Sequence, residues 1–207
     1  MIYKLNGIGH DSNSYLIVGK KNILIDPGTP GTFDLIRGEI EQITKNIDYI
    51  VNTHCHYDHA GANYLYEEYF NAPVIISDKE LKDLKNDTPT TVSKLFRSKL
   101  IPPKEIIPIN DAKITEELKF CGIEYIETPG HTEGGITIIY KNSMITGDTL
   151  FAYGVGRWDF PTGNIIDLRN SIAKLEVIAN QKNIIEILPG HGEKGDLSAF
   201  NNAKLFL

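Results

Sequence analysis

The chain has 207 residues, 41% hydrophobic and 23% charged, which suits one compact domain over 1–207 with a full core. Its formal charge of -6 is spread without long acidic or basic blocks, so neither a nucleic-acid footprint nor a polybasic membrane patch is expected. No apolar run approaches the roughly 20 residues that span a bilayer, and Met1 leads into a mixed polar start without a signal-peptide pattern. A cytoplasmic protein is expected, monomeric or homodimeric.

In chain order, the first quarter reads as strands broken by turns: Ile2 to Leu5, Tyr15 to Val18 and Asn22 to Ile25, the last ended by Asp26-Pro27-Gly28. A helix follows, with Thr32 as its N-cap and Leu35, Ile36, Ile40 and Ile43 at helical spacing. Asp48 to Asn52 is an apolar strand that delivers the chain into Thr53-His54. Ala60 to Phe70 reads as helix, Pro73 to Ser77 as a buried strand, and Asp78 as the cap of a short helix from Lys79 to Lys85. Four prolines (Pro89, Pro102, Pro103, Pro108) surround a predicted helix from Val92 to Leu100, which suggests a surface excursion. Strands return at Ile114 to Leu118, Phe120 to Glu127, Ile136 to Tyr140 and Ser143 to Thr146. A helix from Ile165 to Ala179 leads to a strand from Ile184 to Leu188 and a last short helix near Leu197 to Lys204. Strands grouped in each half with interleaved helices favour two sheets packed face to face with helices outside.

The densest chemistry lies in Thr53-His54-Cys55-His56-Tyr57-Asp58-His59-Ala60-Gly61, where four metal-competent side chains fall within six residues. Neutral imidazoles and carboxylates suit zinc or iron. A strand end followed by a tight loop lets His54 and His56 face one ion while Asp58 and His59 turn toward a second. Cys55 and Cys121 have no CxxC spacing and read as ordinary free thiols; Cys55, between two candidate ligands, is expected to point away from them.

Three further candidates share one local grammar, a polar side chain presented after an apolar strand and turn residues. Glu124 to Glu127 runs into Thr128-Pro129-Gly130-His131, Met144 to Gly147 into Asp148, and Ile184 to Leu188 into Pro189-Gly190-His191. Five of the six histidines therefore sit at strand ends, where they can meet at one edge of the sandwich. The remaining one, His10, sits in Gly9-His10-Asp11-Ser12-Asn13, a turn, and reads as structural. Seven ligands suffice for two ions if one carboxylate bridges them. Two such cations lower the pKa of a shared water toward roughly 7 and supply charge where a carbonyl oxygen becomes an oxyanion. Asp148 is expected to bridge the metals, and Asp58 to ligate one of them while orienting the water or receiving its proton.

These residues resemble the metallo-β-lactamase superfamily, whose motif of two alternating histidines, an aspartate and a histidine matches His54, His56, Asp58 and His59. The resemblance runs from Asn22-Ile23-Leu24-Ile25-Asp26-Pro27-Gly28 to Pro189-Gly190-His191-Gly192 and implies an α+β fold, an αββα sandwich of two mixed sheets. It also implies that His54, His56 and His131 bind a first metal, Asp58, His59 and His191 a second, and Asp148 both. The ions would be zinc first, with iron or manganese as alternatives.

Within that superfamily, Thr128-Pro129-Gly130-His131-Thr132 and Gly147-Asp148-Thr149-Leu150-Phe151 resemble glyoxalase II, the hydroxyacylglutathione hydrolases that cleave acyl thioesters. Two departures stand out. Gly156-Arg157-Trp158-Asp159-Phe160 replaces the Lys and Tyr that grip glutathione, and the chain ends at Leu207 without the helical C-terminal domain. Arg157 and Asp159 instead resemble compact single-domain hydrolases of this type, or mononuclear-iron persulfide dioxygenases; Pro161 favours the hydrolases. The expected activity is hydrolysis of a small S-lactoyl-thiol type thioester, with Tyr57, Phe151, Tyr153, Arg157, Trp158 and Asp159 as candidate substrate contacts. Persulfide oxidation is the alternative, ahead of a lactonase or a non-catalytic metal-binding module. A carboxylate in place of His56 would mark a flavodiiron oxygen reductase, and a cysteine in place of Asp148 a true zinc β-lactamase; this chain has neither.

Overall fold

Short apolar strands organise the first half of the chain. In the computed structural model, which describes residues 1–5, 9 and 11–207, β1 (Ile2–Leu5), β2 (Ser14–Ile17) and β3 (Ile23–Ile25) pair antiparallel. The structural role expected of His10 falls outside the described residues. Parallel pairing then extends the sheet through β4 (Tyr49–Val51), β5 (Val74–Ile76) and β6 (Ile106–Pro108), in the order β1-β2-β3-β4-β5-β6. Ile23–Ile25 and Val74–Ile76 are buried at every position, the pattern of parallel strands covered on both faces. Helices α1 (Phe33–Ile43), α2 (Tyr57–Ala60), α3 (Asn63–Phe70), α4 (Leu81–Asn86) and α5 (Ala112–Phe120) complete this unit, Met1–Cys121. Its core joins Leu16, Leu24, Ile36, Ile40, Ile50 and Tyr66.

Three expectations are corrected here. The strand expected from Ile114 to Leu118 is part of α5: the Asp111 carboxylate accepts from the amides of Lys113 and Ile114 at 3.0 and 3.2 Å, and Ile114 and Leu118, one helical turn apart, are buried. The helix expected from Val92 to Leu100 is absent. Two 3-10 turns, Pro89–Thr91 and Ser93–Phe96, are separated by Val92 and closed by Arg97, both left-handed at φ 49° and 52°. Hydroxyls compete with the helix there, Thr91 Oγ1 donating to Asp87 Oδ1 at 2.6 Å and to the Thr88 carbonyl at 2.9 Å. Thr32 precedes α1 but its hydroxyl does not cap it, donating instead to the Asp11 carboxylate and the Thr29 carbonyl.

The second unit, Gly122–Leu207, holds β7 (Ile123–Glu127), β8 (Ile136–Tyr140) and β9 (Ser143–Gly147), the hairpin strands β10 (Leu150–Phe151) and β11 (Gly154–Val155), and β12 (Glu186–Pro189). Its main sheet has the order β12-β9-β8-β7, with β12 parallel to β9 and the other pairs antiparallel. Helix α6 (Ile165–Gln181) is capped by Asn164, whose Oδ1 accepts from the amides of Ile166 and Asp167 at 2.8 and 3.2 Å, and packs Leu168, Ile172 and Leu175 against Met144 and Ile187. Helix α7 (Ser198–Ala203) adds Phe200 to that cluster. Two mixed sheets with helices give the α+β class expected from the sequence. Among the described residues no helix is long and apolar enough to cross a membrane.

Candidate metal centre

In the first unit the site is built where two parallel strands stop. β3 ends at Asp26, left-handed at φ 50°, a conformation that aspartate tolerates better than most residues. Its buried carboxylate reaches the end of the neighbouring strand, accepting from the Thr53 amide at 2.8 Å and the Thr53 hydroxyl at 2.6 Å. It also accepts from His59 Nδ1 at 3.0 Å. His56 is the N-cap residue of α2, which carries Asp58 and His59 in its single turn. That turn ends at Gly61, where a Cβ would lie 2.5 Å from the Tyr57 carbonyl oxygen. The His59 carbonyl is held as well, by the Gly28 amide at 3.1 Å and Asn52 Nδ2 at 3.4 Å.

These contacts fix tautomers. A carboxylate only accepts, so His59 Nδ1 carries a proton, and in the neutral ring, the form that binds a metal, Nε2 carries the lone pair. Thr53 Oγ1 already donates to Asp26, so at 3.1 Å it accepts from His54 Nδ1, leaving the His54 Nε2 lone pair for a ligand. Ligand atoms of His54 and His56, of His54 and His59, and of Asp58 and His59 lie within 4.8 Å of each other. His59 Nε2 faces Asp58 Oδ2 at 3.9 Å. Two acceptors turned toward one another repel unless a cation lies between them, so the donor set fits a metal.

The second unit carries three further candidate ligands. β7, β9 and β12 lead into His131, Asp148 and His191 respectively. Gly130 (φ +142°) precedes His131, and a Cβ there would fall 2.2 Å from the Leu168 Cα at the start of α6. His131 Nδ1 donates to the Arg157 carbonyl at 2.5 Å, so its Nε2 carries a lone pair that faces Asp148 Oδ2 at 3.5 Å. His191 Nε2 stands 3.6 Å from the same oxygen. One carboxylate oxygen thus faces two imidazoles, a set of donors that could hold a cation.

The other candidates are placed as follows. Cys55 is fully buried in the apolar core, away from a ligand role, and burial pushes its thiol pKa up. The Tyr57 ring is also buried, against Phe96 and with its hydroxyl 2.6 Å from Ser98 Oγ, so it forms no open wall. Phe151 meets the His191 ring edge-on at 6.2 Å. Tyr153, 72% exposed, borders a cleft of about 390 Å³ with Ile185, Lys194 and Ser198. Arg157 and Asp159 form a bidentate pair at 2.8 and 2.7 Å, which raises the arginine pKa and lowers that of the aspartate. The guanidinium lies 4.2 Å from the Phe160 ring centroid, and the neighbouring Trp158 is exposed. Sequence reading missed Asp26 and Gly156. Asp26 had a signal, an acidic side chain at the end of a buried strand, but it read as part of a turn.

A family model described as the metallo-β-lactamase superfamily matches residues 7–191, and the chain belongs to that superfamily. Its fold is the metallo-β-lactamase fold, and it is a metal-dependent hydrolase by family, whose members typically bind two divalent ions. The chain is 65% identical over 208 residues, spanning all of both chains, to a probable metallo-hydrolase of Methanocaldococcus jannaschii. It is 30% identical to hydroxyacylglutathione hydrolase GloC of Haemophilus influenzae, over 91% of this chain and 88% of that one. Among solved structures it resembles TTHA1623 in a di-iron-bound form, with a TM-score of 0.83 and 23% identity over 99% of this chain and 100% of that one.

Proposed function

We propose that the chain hydrolyses a small acyl thioester of the S-lactoyl-thiol type. In this reading His54, His56 and His131 hold one divalent ion, Asp58, His59 and His191 a second, and Asp148 both; zinc is the first choice, with iron or manganese as alternatives. When bound, the ions lower the pKa of water toward roughly 7 and stabilise negative charge on a carbonyl oxygen. The Asp58 carboxylate takes the proton that the water gives up. Asp26 and the Arg157 carbonyl keep His59 and His131 in the tautomer that presents Nε2. Phe151, Tyr153, Arg157, Trp158 and Asp159 supply the substrate contacts.

The observation that carries this reading is Asp148 Oδ2 facing two histidine Nε2 atoms, in a chain 30% identical to a hydroxyacylglutathione hydrolase of similar length. The first experiment is hydrolysis of a lactoyl thioester by purified protein, followed by free-thiol release with and without a chelator. Chelator-sensitive release is expected. Oxygen uptake with a thiol persulfide and no thioester cleavage would replace this reading with persulfide oxidation.

A further inference from the structure

The carrier half of such a thioester has to be recognised too, and the structure offers a place for it in the first unit. Between α4 and β6 the chain runs through a strap whose ends and middle are tied down by buried or bonded carboxylates. Asp87 Oδ1 accepts from the Thr91 hydroxyl at 2.6 Å and its Oδ2 from the Leu100 amide at 3.2 Å. The buried Glu67 carboxylate accepts from the amides of Lys104 and Glu105 at 2.7 and 2.6 Å. Three non-glycine residues of the strap are left-handed, Asp87, Val92 and Arg97, at φ 48°, 49° and 52°. For β-branched Val92 that conformation is strained, and such strain persists only where the surroundings enforce it. The strap is therefore a built element.

Its outer surface is basic in an acidic protein. Lys94, Arg97 and Lys99 fall within six residues, all exposed. Among the described residues none of the three has an ion-pair partner, whereas Arg157, the cation nearest a ligand in sequence among the substrate candidates, is neutralised by Asp159. Leu95, 65% exposed, lies between them. The strap is also joined to the ligands. Tyr57, the residue between His56 and Asp58, reaches it with hydroxyl and ring, at 2.6 Å from Ser98 Oγ and 5.5 Å from the Phe96 centroid. Phe96 and Ser98, which the three cations flank in sequence, are thus in contact with the residue between His56 and Asp58, so the strap is anchored beside the candidate metal-ligating turn, where a long thiol whose sulfur reacts could have its far end held.

We infer that Lys94, Arg97 and Lys99 form the recognition site for the anionic end of the thiol carrier, with Leu95 supporting its apolar arm. The inference rests on the thioesterase reading. The carrier's charge can come from carboxylates or phosphates, and the three cations fit either. In the reaction water adds across the thioester, the C–S bond breaks, and the acid and the free thiol leave; the strap takes no part in bond making.

The test compares lactoyl thioesters of glutathione (carboxylates), coenzyme A (phosphates) and N-acetylcysteamine (neutral) on wild type and the Lys94→Ala/Arg97→Ala/Lys99→Ala variant. The expected result is a KM roughly tenfold higher for at least one anionic thioester, from three exposed charges of modest strength each, with kcat and the neutral substrate unchanged. Which anionic substrate responds names the source of the charge. Equal KM values for both anionic thioesters in the two proteins overturn the inference. If no thioester is cleaved, the thioesterase reading fails separately, and calorimetric binding of free glutathione and coenzyme A to the metal-loaded proteins decides the strap. Binding lost in the variant upholds it, and binding absent or equal in both overturns it.

Discussion

The ring of His131 is held by the main chain of Arg157, its Nδ1 donating to that carbonyl at 2.5 Å. The side chain of Arg157 points to other work, pairing with Asp159. The preceding residue, Gly156, brings the carbonyl this close: a Cβ there would lie 1.8 Å from the Asp148 carbonyl oxygen and 3.0 Å from His131 Nδ1. The two neighbours should therefore separate cleanly on substitution. Gly156→Ala is expected to weaken metal binding by about 10- to 100-fold, the range for lost support of a ligand, while Arg157→Ala keeps its metal. Titration of the apo proteins with a competing chelator checks this. A Gly156→Ala protein with wild-type affinity would mean that the loop relaxes without moving His131.

Asp26 carries three donors on one buried carboxylate. Asp26→Ala leaves the Thr53 amide, the Thr53 hydroxyl and His59 Nδ1 without that acceptor, at a cost of about 1–3 kcal/mol for each buried donor not otherwise satisfied. Loss of thermal stability is expected together with weaker metal binding, because the same carboxylate sets the His59 tautomer. Stability and metal affinity measured on one preparation test both. Lost stability with unchanged affinity would confine Asp26 to folding.

What the sequence made legible divides along physical lines. The candidates His54, His131, Asp148 and His191 are readable because each follows an apolar strand, β4, β7, β9 and β12 in turn, whereas His56, Asp58 and His59 are placed by the single turn of α2. The α5 helix was misread because Ile114 and Leu118 are compatible with a strand when the Asp111 cap is overlooked. The strap was misread as helix because nothing local announces a left-handed valine; the Asp87 and Glu67 contacts that hold it reach across as many as 38 residues. The Gly156 support could not be read at all, since a backbone carbonyl leaves no mark on residue identity.

Tyr49 gives the fold an alkaline sensitivity. Partial burial, and then the 2.5 Å hydrogen bond to Glu117, push its pKa up to about 12, against about 10 in an unfolded chain. Between those values the unfolded chain has lost the proton that the folded one retains, so stability falls as pH rises. The contribution is complete below pH 10 and gone above the folded value. Tyr49→Phe is expected to be less stable at neutral pH by about 0.5–1.5 kcal/mol and to show a shallower decline from pH 10 to 12. Urea unfolding at fixed pH values checks both; parallel declines for the two proteins would show that Tyr49 does not titrate in that window.

His59 tests whether the ligand set divides as proposed. It shares α2 with Asp58, and its Nε2 faces the Asp58 carboxylate at 3.9 Å, while the His54 ring lies 4.6 Å from that of His56 and 4.1 Å from that of His59, so ring spacing alone does not divide the three histidines. Removing one imidazole from each of two ion sites should give different losses from removing one imidazole of a single shared site. His59→Ala is expected to bind about one ion where wild type binds two, the superfamily's usual number, and His54→Ala to lose the other. The double variant should then bind neither tightly. Elemental analysis of protein dialysed at matched free metal distinguishes the cases. Two ions retained by His59→Ala, with wild-type turnover, would remove His59 from the ligand set and leave Asp26 paired with a histidine of purely structural purpose. One ion in wild type itself would make the centre mononuclear, and the bridging role of Asp148 would fall with it.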